Sequence, residues 1–516
     1  MSKFLKGTMI LLIAGLFTRI LGFINRIVVA RMIGEEGVGL YMMAYPTFIL
    51  VVTLTQFGLP VAISKRVAEA EAIGNTRKVK KILAISLITT LTLSIIFTPL
   101  LFFGAPLLAG TVFTDERTIF PLLAIAPVIP VVAVSSVIRG YFQGKQNMKP
   151  AAIQQIIEQV VRIGLIVVLT KYFLPFGIEY AAAAVMLATI GGETIALFYL
   201  LTMFKIKKAF PLRKNFLSSL KNTKSIFREL LNISLPTTGS RMIGSLSWFV
   251  EPIVVTHSLA IAGVTTTLAT KQYGSLTGFA LPLLLLPSFI TVALSTSLVP
   301  AISEAYSLKK FALVERRIQQ ALRLCILTGA ISVIVIYTLA EPLMQAMYNS
   351  SSGAIFIQIM APFIIFQYLQ APLQATLQAL DLAKAAMINS FIGAVVKTAT
   401  IFILASQPDF GINGVALGFI IGFVLVAFLH YATIMKVIPL TFYARFYVKI
   451  LIVTIAIGFA GKYLFALFIQ QYPNFIAISL TSCVMVLLYI IGLTLFKVIS
   501  LKDIRKLFMF LQPIKR

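Results

Sequence analysis

Residues 7–31 read GTMILLIAGLFTRILGFINRIVVAR. As a helix rising about 1.5 Å per residue, the stretch reaches roughly 37 Å, more than the ~30 Å hydrocarbon core of a bilayer. Its only charges before the closing Arg31 are Arg19 and Arg26. No small-residue cleavage site follows a charge-free apolar region, so the stretch is read as a retained first span and not as a signal peptide.

Stretches of this kind recur to the end of the chain. Of 516 residues, 59% are hydrophobic and 12% charged, and the mean hydropathy is +0.97. A soluble domain needs far more polar surface. In lipid a helix satisfies all its backbone hydrogen bonds internally, so the expected class is an all-α integral membrane protein. Apolar windows give about fourteen spans. They fall near 7–31, 40–64, 82–103, 118–139, 151–173, 179–204, 229–255, 276–300, 320–340, 355–380, 386–405, 412–435, 446–468 and 475–497.

The net charge of +27 does not point to nucleic acid, because Lys and Arg collect in alternate connections and not on an aromatic-interleaved patch. Residues 205–228 carry eight of them and no acid. Lys65, Arg66, Arg77, Lys78, Lys80 and Lys81 lie between spans two and three, and a further basic group closes the chain. The intervening connections hold Glu35, Glu36, Asp115, Glu341 and Asp409. The positive-inside rule then puts both termini of this multi-pass membrane chain in the cytoplasm, which requires an even number of spans.

The chain also repeats itself. Arg139 to Leu169 aligns without gaps on Gln374 to Leu404, an offset of 235, with Gln143 on Gln378, Ala151 on Ala386 and Arg162 on Lys397. Gly177-Ile178 meets Gly411-Ile412, and Thr18 to Gly22 resembles Ser240 to Gly244. Spans one to six and seven to twelve therefore read as two parallel six-helix lobes, followed by two C-terminal helices. The expected organisation is an N-lobe over 1–204, a cytoplasmic amphipathic linker over 205–228, a C-lobe over 229–435, and two further spans with a basic tail over 436–516.

Ionisable groups within spans are expensive and usually mark function. They are Arg19, Arg26, Glu158, Arg162, Glu193, Arg241, Glu251 and Lys397. Glu158 and Arg162, four apart on one helical face, can pair, either as a structural element or as a working charge. Arg26 and Arg31 can snorkel to an interface. Arg19 and its repeat mate Arg241 would face each other across a cavity between the lobes. A guanidinium grips phosphate with two hydrogen bonds, so Arg19, Arg241 and Arg26 are the expected binders of a phosphate or pyrophosphate group. Glu158, Arg162, Glu193, Glu251 and Lys397 are further cavity or coupling charges. No metal spacing, P-loop or nucleophile elbow occurs, and Cys325 and Cys483 read as small apolar residues. No metal or cofactor is expected beyond a coupling H+ or Na+.

Several runs resemble a known family: Phe4 to Thr8, Thr18 to Phe23, Arg26 to Arg31, Gly34 to Tyr41, Leu54 to Pro60, and Arg139-Gly140-Tyr141-Phe142-Gln143-Gly144. They resemble the sporulation group within the polysaccharide-exporter branch of the multidrug/oligosaccharidyl-lipid/polysaccharide superfamily, related to the lipid II flippases. The resemblance implies fourteen spans, a cationic central cavity and transport of undecaprenyl-pyrophosphate sugars, here lipid II for spore cortex peptidoglycan, with peptidoglycan synthesis machinery as a partner. It implies a transporter and not an enzyme. Arg19 matches an arginine in the first span of the lipid II flippases; their second falls on Asn25, with Arg26 one place along. Their arginines in spans two and eight have no counterpart in 40–64 or 276–300, and Arg241 would supply part of that charge.

Three rivals remain. A cation-coupled drug or polysaccharide exporter would use Glu193 or Glu251. A membrane glycosyltransferase needs outer-face carboxylates or histidine, which are scattered here. A sporulation scaffold would not transport at all.

Overall fold

The computed structural model describes residues 3–207, 224–441 and 443–499. Most of the expected linker and the whole basic tail therefore lie outside the described residues. Every described regular element is a helix.

The first thirteen helical elements start with α1 (Lys3–Gln56), α2 (Leu59–Ala72), α3 (Thr76–Leu107), α4 (Ile119–Ile125) and α5 (Val128–Gly144). They continue with α6 (Lys149–Phe173), α7 (Ile178–Lys207), α8 (Lys224–Ile261) and α9 (Thr266–Gly274). A π-helical turn, Ser275–Ala280, leads to α10 (Leu281–Leu285), α11 (Ser288–Ser307), α12 (Phe311–Thr338) and α13 (Ala340–Tyr348). The rest are α14 (Ala354–Met360), α15 (Ile364–Ala379), α16 (Ala383–Ala405), α17 (Gly411–Met435), α18 (Ala444–Gln471) and α19 (Asn474–Leu495).

All fourteen expected segments fall on helix, but the count of fourteen spans is not reached on length and apolarity. Among the described residues eleven helices qualify, or twelve if the pair α4 and α5, bent by 42°, is one span. Two features explain the shortfall. Residues 17–72 count once although the chain breaks at Gly34, and α8 carries Arg228, Glu229, Arg241 and Glu251. Gly34 has φ 63° and ψ −170°, which only glycine adopts readily. Proline acts in two ways. Pro60, Pro127 and Pro287 stand at helix starts, where a missing N–H is harmless, while Pro46, Pro236, Pro252 and Pro300 lie inside helices that continue.

The chain forms two compact units, residues 1–279 with 398–415, and 280–397 with 416–516. In the first, α6 packs along α7, α2 along α5, and α1 runs against α6, α8 and α9. One apolar core there gathers Ile63, Val67, Ile82, Tyr141 and Leu230. In the second, α11, α12 and α15 pack together around Ile302, Ile318, Leu373 and Leu377, and α18 with α19 packs on α12.

Candidate functional site

The break at Gly34 decides what the first unit can build. It folds α1 back on itself, so residues at similar distances before and after it face one another. Arg26 and Val29 before the break, and Val38, Tyr41 and Tyr45 after it, line a single cavity of about 150 Å3. Gln159 and Arg162 of α6, and Trp248 of α8, complete its polar and aromatic walls. Gly278 forms part of another wall, where a Cβ would lie 2.0 Å from the Val38 side chain.

The cavity is cationic. Arg26 lines it and makes no ion pair among the described residues. Arg162 donates through Nη2 to Glu158 Oε1, four residues earlier, while its Nε is buried without a partner. The neutral amides Asn25 and Gln159 also line the space, each with a buried side-chain oxygen that has no partner. Tyr41 stacks on Tyr45 with ring centroids 5.3 Å apart, and Tyr45 meets the Trp248 ring edge-on at 5.7 Å. The result is two guanidinium groups and two amides beside an aromatic wall.

The structure thus brings together Arg26 and Arg162 but not Arg19 and Arg241, whose side chains are exposed and do not line this cavity. Their register is still informative. Arg19 lies seven residues before Arg26, and Arg241 seven before Trp248, so each shares a helical face with a lining residue about 10.5 Å further along. Glu158 and Glu193 are buried behind Arg162. Glu251 is buried on α8 and interacts with Tyr273 of α9, outside the cavity. Lys397 belongs to the second unit, where its Nζ lies 4.9 Å from the centre of the Phe419 ring.

A second polar cluster closes around the connection after α3. Arg117 donates to Asp115 at 2.8 Å and to Glu36 at 2.6 Å, and Thr270 of α9 donates to Asp115 at 2.8 Å. Burial opposes ionisation of Asp115, but the hydrogen bonds from Arg117 and Thr270 outweigh it and hold the carboxyl below its usual range. α1 and α9 meet closely here, since a Cβ on Gly39 would lie 2.1 Å from the Thr270 carbonyl oxygen.

Sequence reasoning missed Tyr41, Tyr45, Trp248, Asn25 and Gln159 as lining residues. A signal existed for some. Trp248 is the chain's one tryptophan, and Asn25 and Gln159 sit beside Arg26 and Glu158 within apolar spans.

Comparison with known proteins agrees with this architecture. The polysaccharide biosynthesis protein family model matches residues 4–306, and the MatE family model matches residues 253–403. Stage V sporulation protein B of Bacillus subtilis (strain 168) is 56% identical over 511 residues, 98% of each chain. The lipid II flippase MurJ of the same organism is 25% identical over 449 residues, 81% of each chain. A solved lipid II flippase MurJ in an inward closed conformation superposes with a TM-score of 0.70 at 17% identity, covering 94% of this chain and 98% of that one, which shows the shared fold.

Proposed function

Because the chain belongs to the polysaccharide biosynthesis protein family, within the multidrug/oligosaccharidyl-lipid/polysaccharide superfamily of membrane transporters, we propose that it flips a lipid-linked sugar carried on pyrophosphate. The proposed cargo is undecaprenyl-pyrophosphate-linked peptidoglycan precursor, lipid II, delivered to the outer leaflet for spore cortex synthesis. Peptidoglycan synthesis machinery would take it up there.

One observation carries the reading: Arg26 and Arg162 line the same cavity, and Arg162 has an unsatisfied buried Nε donor. A doubly anionic headgroup is expensive in the membrane, and fixed guanidinium groups offset that cost. Arg19 and Arg241, about two turns away on the same helical faces, supply the first attraction, and Arg26 with Arg162 receives the pyrophosphate. The faces of Tyr41, Tyr45 and Trp248 suit the apolar faces of a sugar ring. The polyprenyl tail stays in lipid while two parallel six-helix lobes, 1–204 and 229–435, rock about the headgroup. Both termini are cytoplasmic in this reading, and no covalent chemistry occurs.

The test reconstitutes the purified protein in liposomes with labelled lipid-linked disaccharide-peptide and scores headgroup movement across the bilayer. Wild type should exceed empty liposomes clearly. Arg26→Ala and Arg162→Ala should fall by tenfold or more, and Arg19→Ala and Arg241→Ala by less. Wild-type movement no faster than in empty liposomes would end the assignment.

A further inference from the structure

The two C-terminal helices meet at a basic pocket. The start of α18 and the end of α19 enclose a cavity of about 490 Å3. Arg445, Lys449 and Lys497 line it together with the rings of Tyr443 and Phe446, and no acid does. It shares no residue with the cavity around Arg26 and Arg162.

Local structure sets these side chains. Arg445 and Lys449 are four residues apart, so they lie on one face of α18. Lys449 donates through Nζ to the Phe496 carbonyl at 2.9 Å and so ties α18 to the end of α19. There Lys497 takes φ 55°, and the Val498 N–H bonds back to the Leu493 carbonyl at 2.9 Å. This helix-ending reversal, which usually uses glycine, turns a lysine into the pocket wall instead. A fourth cation lies on the aromatic rings. The Arg323 guanidinium of α12 stands 4.3 Å from the centre of Tyr443 and 4.9 Å from that of Phe446, and its Nε is buried with no partner. The acid Glu315 on the same helix is already engaged, accepting from the Thr441 backbone N–H at 2.9 Å and from its hydroxyl at 2.8 Å.

Cations gathered around one hollow repel one another unless an anion lies among them. The surroundings narrow what that anion is. Val448, Leu451 and Ile452 of α18 and Leu495 of α19 are exposed apolar side chains, which in a membrane meet acyl chains. The pocket therefore sits where charge borders hydrocarbon, the place of a lipid headgroup. The chain's own continuation has the wrong sign to fill it, since residues 500–516 carry five bases and one acid.

We propose that this pocket binds the headgroup phosphate of an anionic phospholipid whose acyl chains lie along α18 and α19. The phosphate is met by Arg445 and Lys497, with Lys449 and Arg323 adding to the field. With both termini cytoplasmic, this is a lipid of the inner leaflet, whose anionic headgroups attract such bases. The bound lipid staples the start of α18 to the end of α19.

The experiment uses the full chain in nanodiscs of phosphatidylethanolamine with increasing phosphatidylglycerol, a trace of which carries a diazirine near its headgroup. After illumination, labelled peptides are mapped. Labelling should concentrate on residues 443–449 and 497–498, saturate, and be displaced by unlabelled phosphatidylglycerol but not by inorganic phosphate. The double variant Arg445→Gln with Lys497→Gln should need about tenfold more phosphatidylglycerol for half-saturation. Lys309→Gln with Lys310→Gln, an equal loss of charge elsewhere in the same unit, should label as wild type does. So should Arg445→Lys with Lys497→Arg, which keeps the charge. Labelling of these residues no stronger than of the other lipid-facing surfaces overturns the site, and so does a double glutamine variant that labels as wild type does. Displacement by inorganic phosphate as effective as by phosphatidylglycerol overturns the lipid as its occupant. If the double glutamine variant fails to fold, the wild-type map and its competition decide the matter without it.

Discussion

Helices α6 and α7 and their repeat mates α16 and α17 use the same packing device for opposite chemistry. In the first pair, Gly192 lets α7 close on Glu158 and Arg162. In the second, Gly422 sits where a Cβ would lie 3.0 Å from Lys397 Cβ, and Gly393 accepts the side chain of Val426. The repeat register carries Arg162 to Lys397, Glu158 to Gly393 and, at the neighbouring offset of 234, Glu193 to Ala427. Close approach of the backbones was kept and the acids were not. The cavities differ in the same sense. The first unit's is ringed by Arg26, Arg162 and amides, whereas the second unit holds one of about 420 Å3 walled by Ile326, Ala330, Ile334, Ile365 and Ile450. Among the described residues the buried acids Asp115, Glu158, Glu193 and Glu251 thus all belong to the first unit.

The largest effect should come from removing the cation that the first pair is built around. Arg162→Met leaves two buried acids without their guanidinium and should destabilise the protein by about 3–5 kcal/mol. Lys397→Met, at the matching place, removes a cation–π contact and should lose only about 1 kcal/mol. Thermal unfolding in detergent compares the two, and equal losses would erase the asymmetry between the copies. Next comes Arg26→Ala. It should cut headgroup movement by tenfold or more while changing stability by less than about 1 kcal/mol, because surface-type truncations away from the core are mild.

The glycines sharpen the comparison further. Gly192→Ala forces a methyl against backbone and Arg162 Cβ and should lose about 1–3 kcal/mol. Gly393→Ala drives its methyl onto the stiff Val426 side chain, whose nearest carbon would lie 2.0 Å away, and should lose a similar amount. The smallest effect is a control outside the cavity. Asp115→Asn should lower the melting temperature by about 2 °C at neutral pH and leave headgroup movement intact. Because the folded state holds the Asp115 carboxyl below its ordinary range, that stabilisation is present above the unfolded carboxyl's pKa of about 3.9 and is lost as pH falls through the folded value. Wild type and variant should therefore converge in acid, and a gap that persists at low pH would contradict the assignment.

Much of this was legible in the residues. The run from Gly7 to Arg31 and its successors dictate helices in lipid, since no other open structure satisfies the backbone there. The bond between Glu158 and Arg162 follows from four-residue spacing on a helix. The close packing of α7 at Gly192 against Glu158 and Arg162 does not, because these residues lie on separate helices, and glycines are common in membrane helices for many reasons. Snorkelling was an equally good local reading of Arg26. Only the fold places it beside Arg162.

Sequence alone determined the solvent, the secondary structure and the list of costly charges, because each is a property of one segment and of the ~30 Å it must cross. Tertiary structure decided which of those charges share a cavity. That depends on the reversal at Gly34 and on how closely α6 meets α7, both set by packing between segments far apart in the chain.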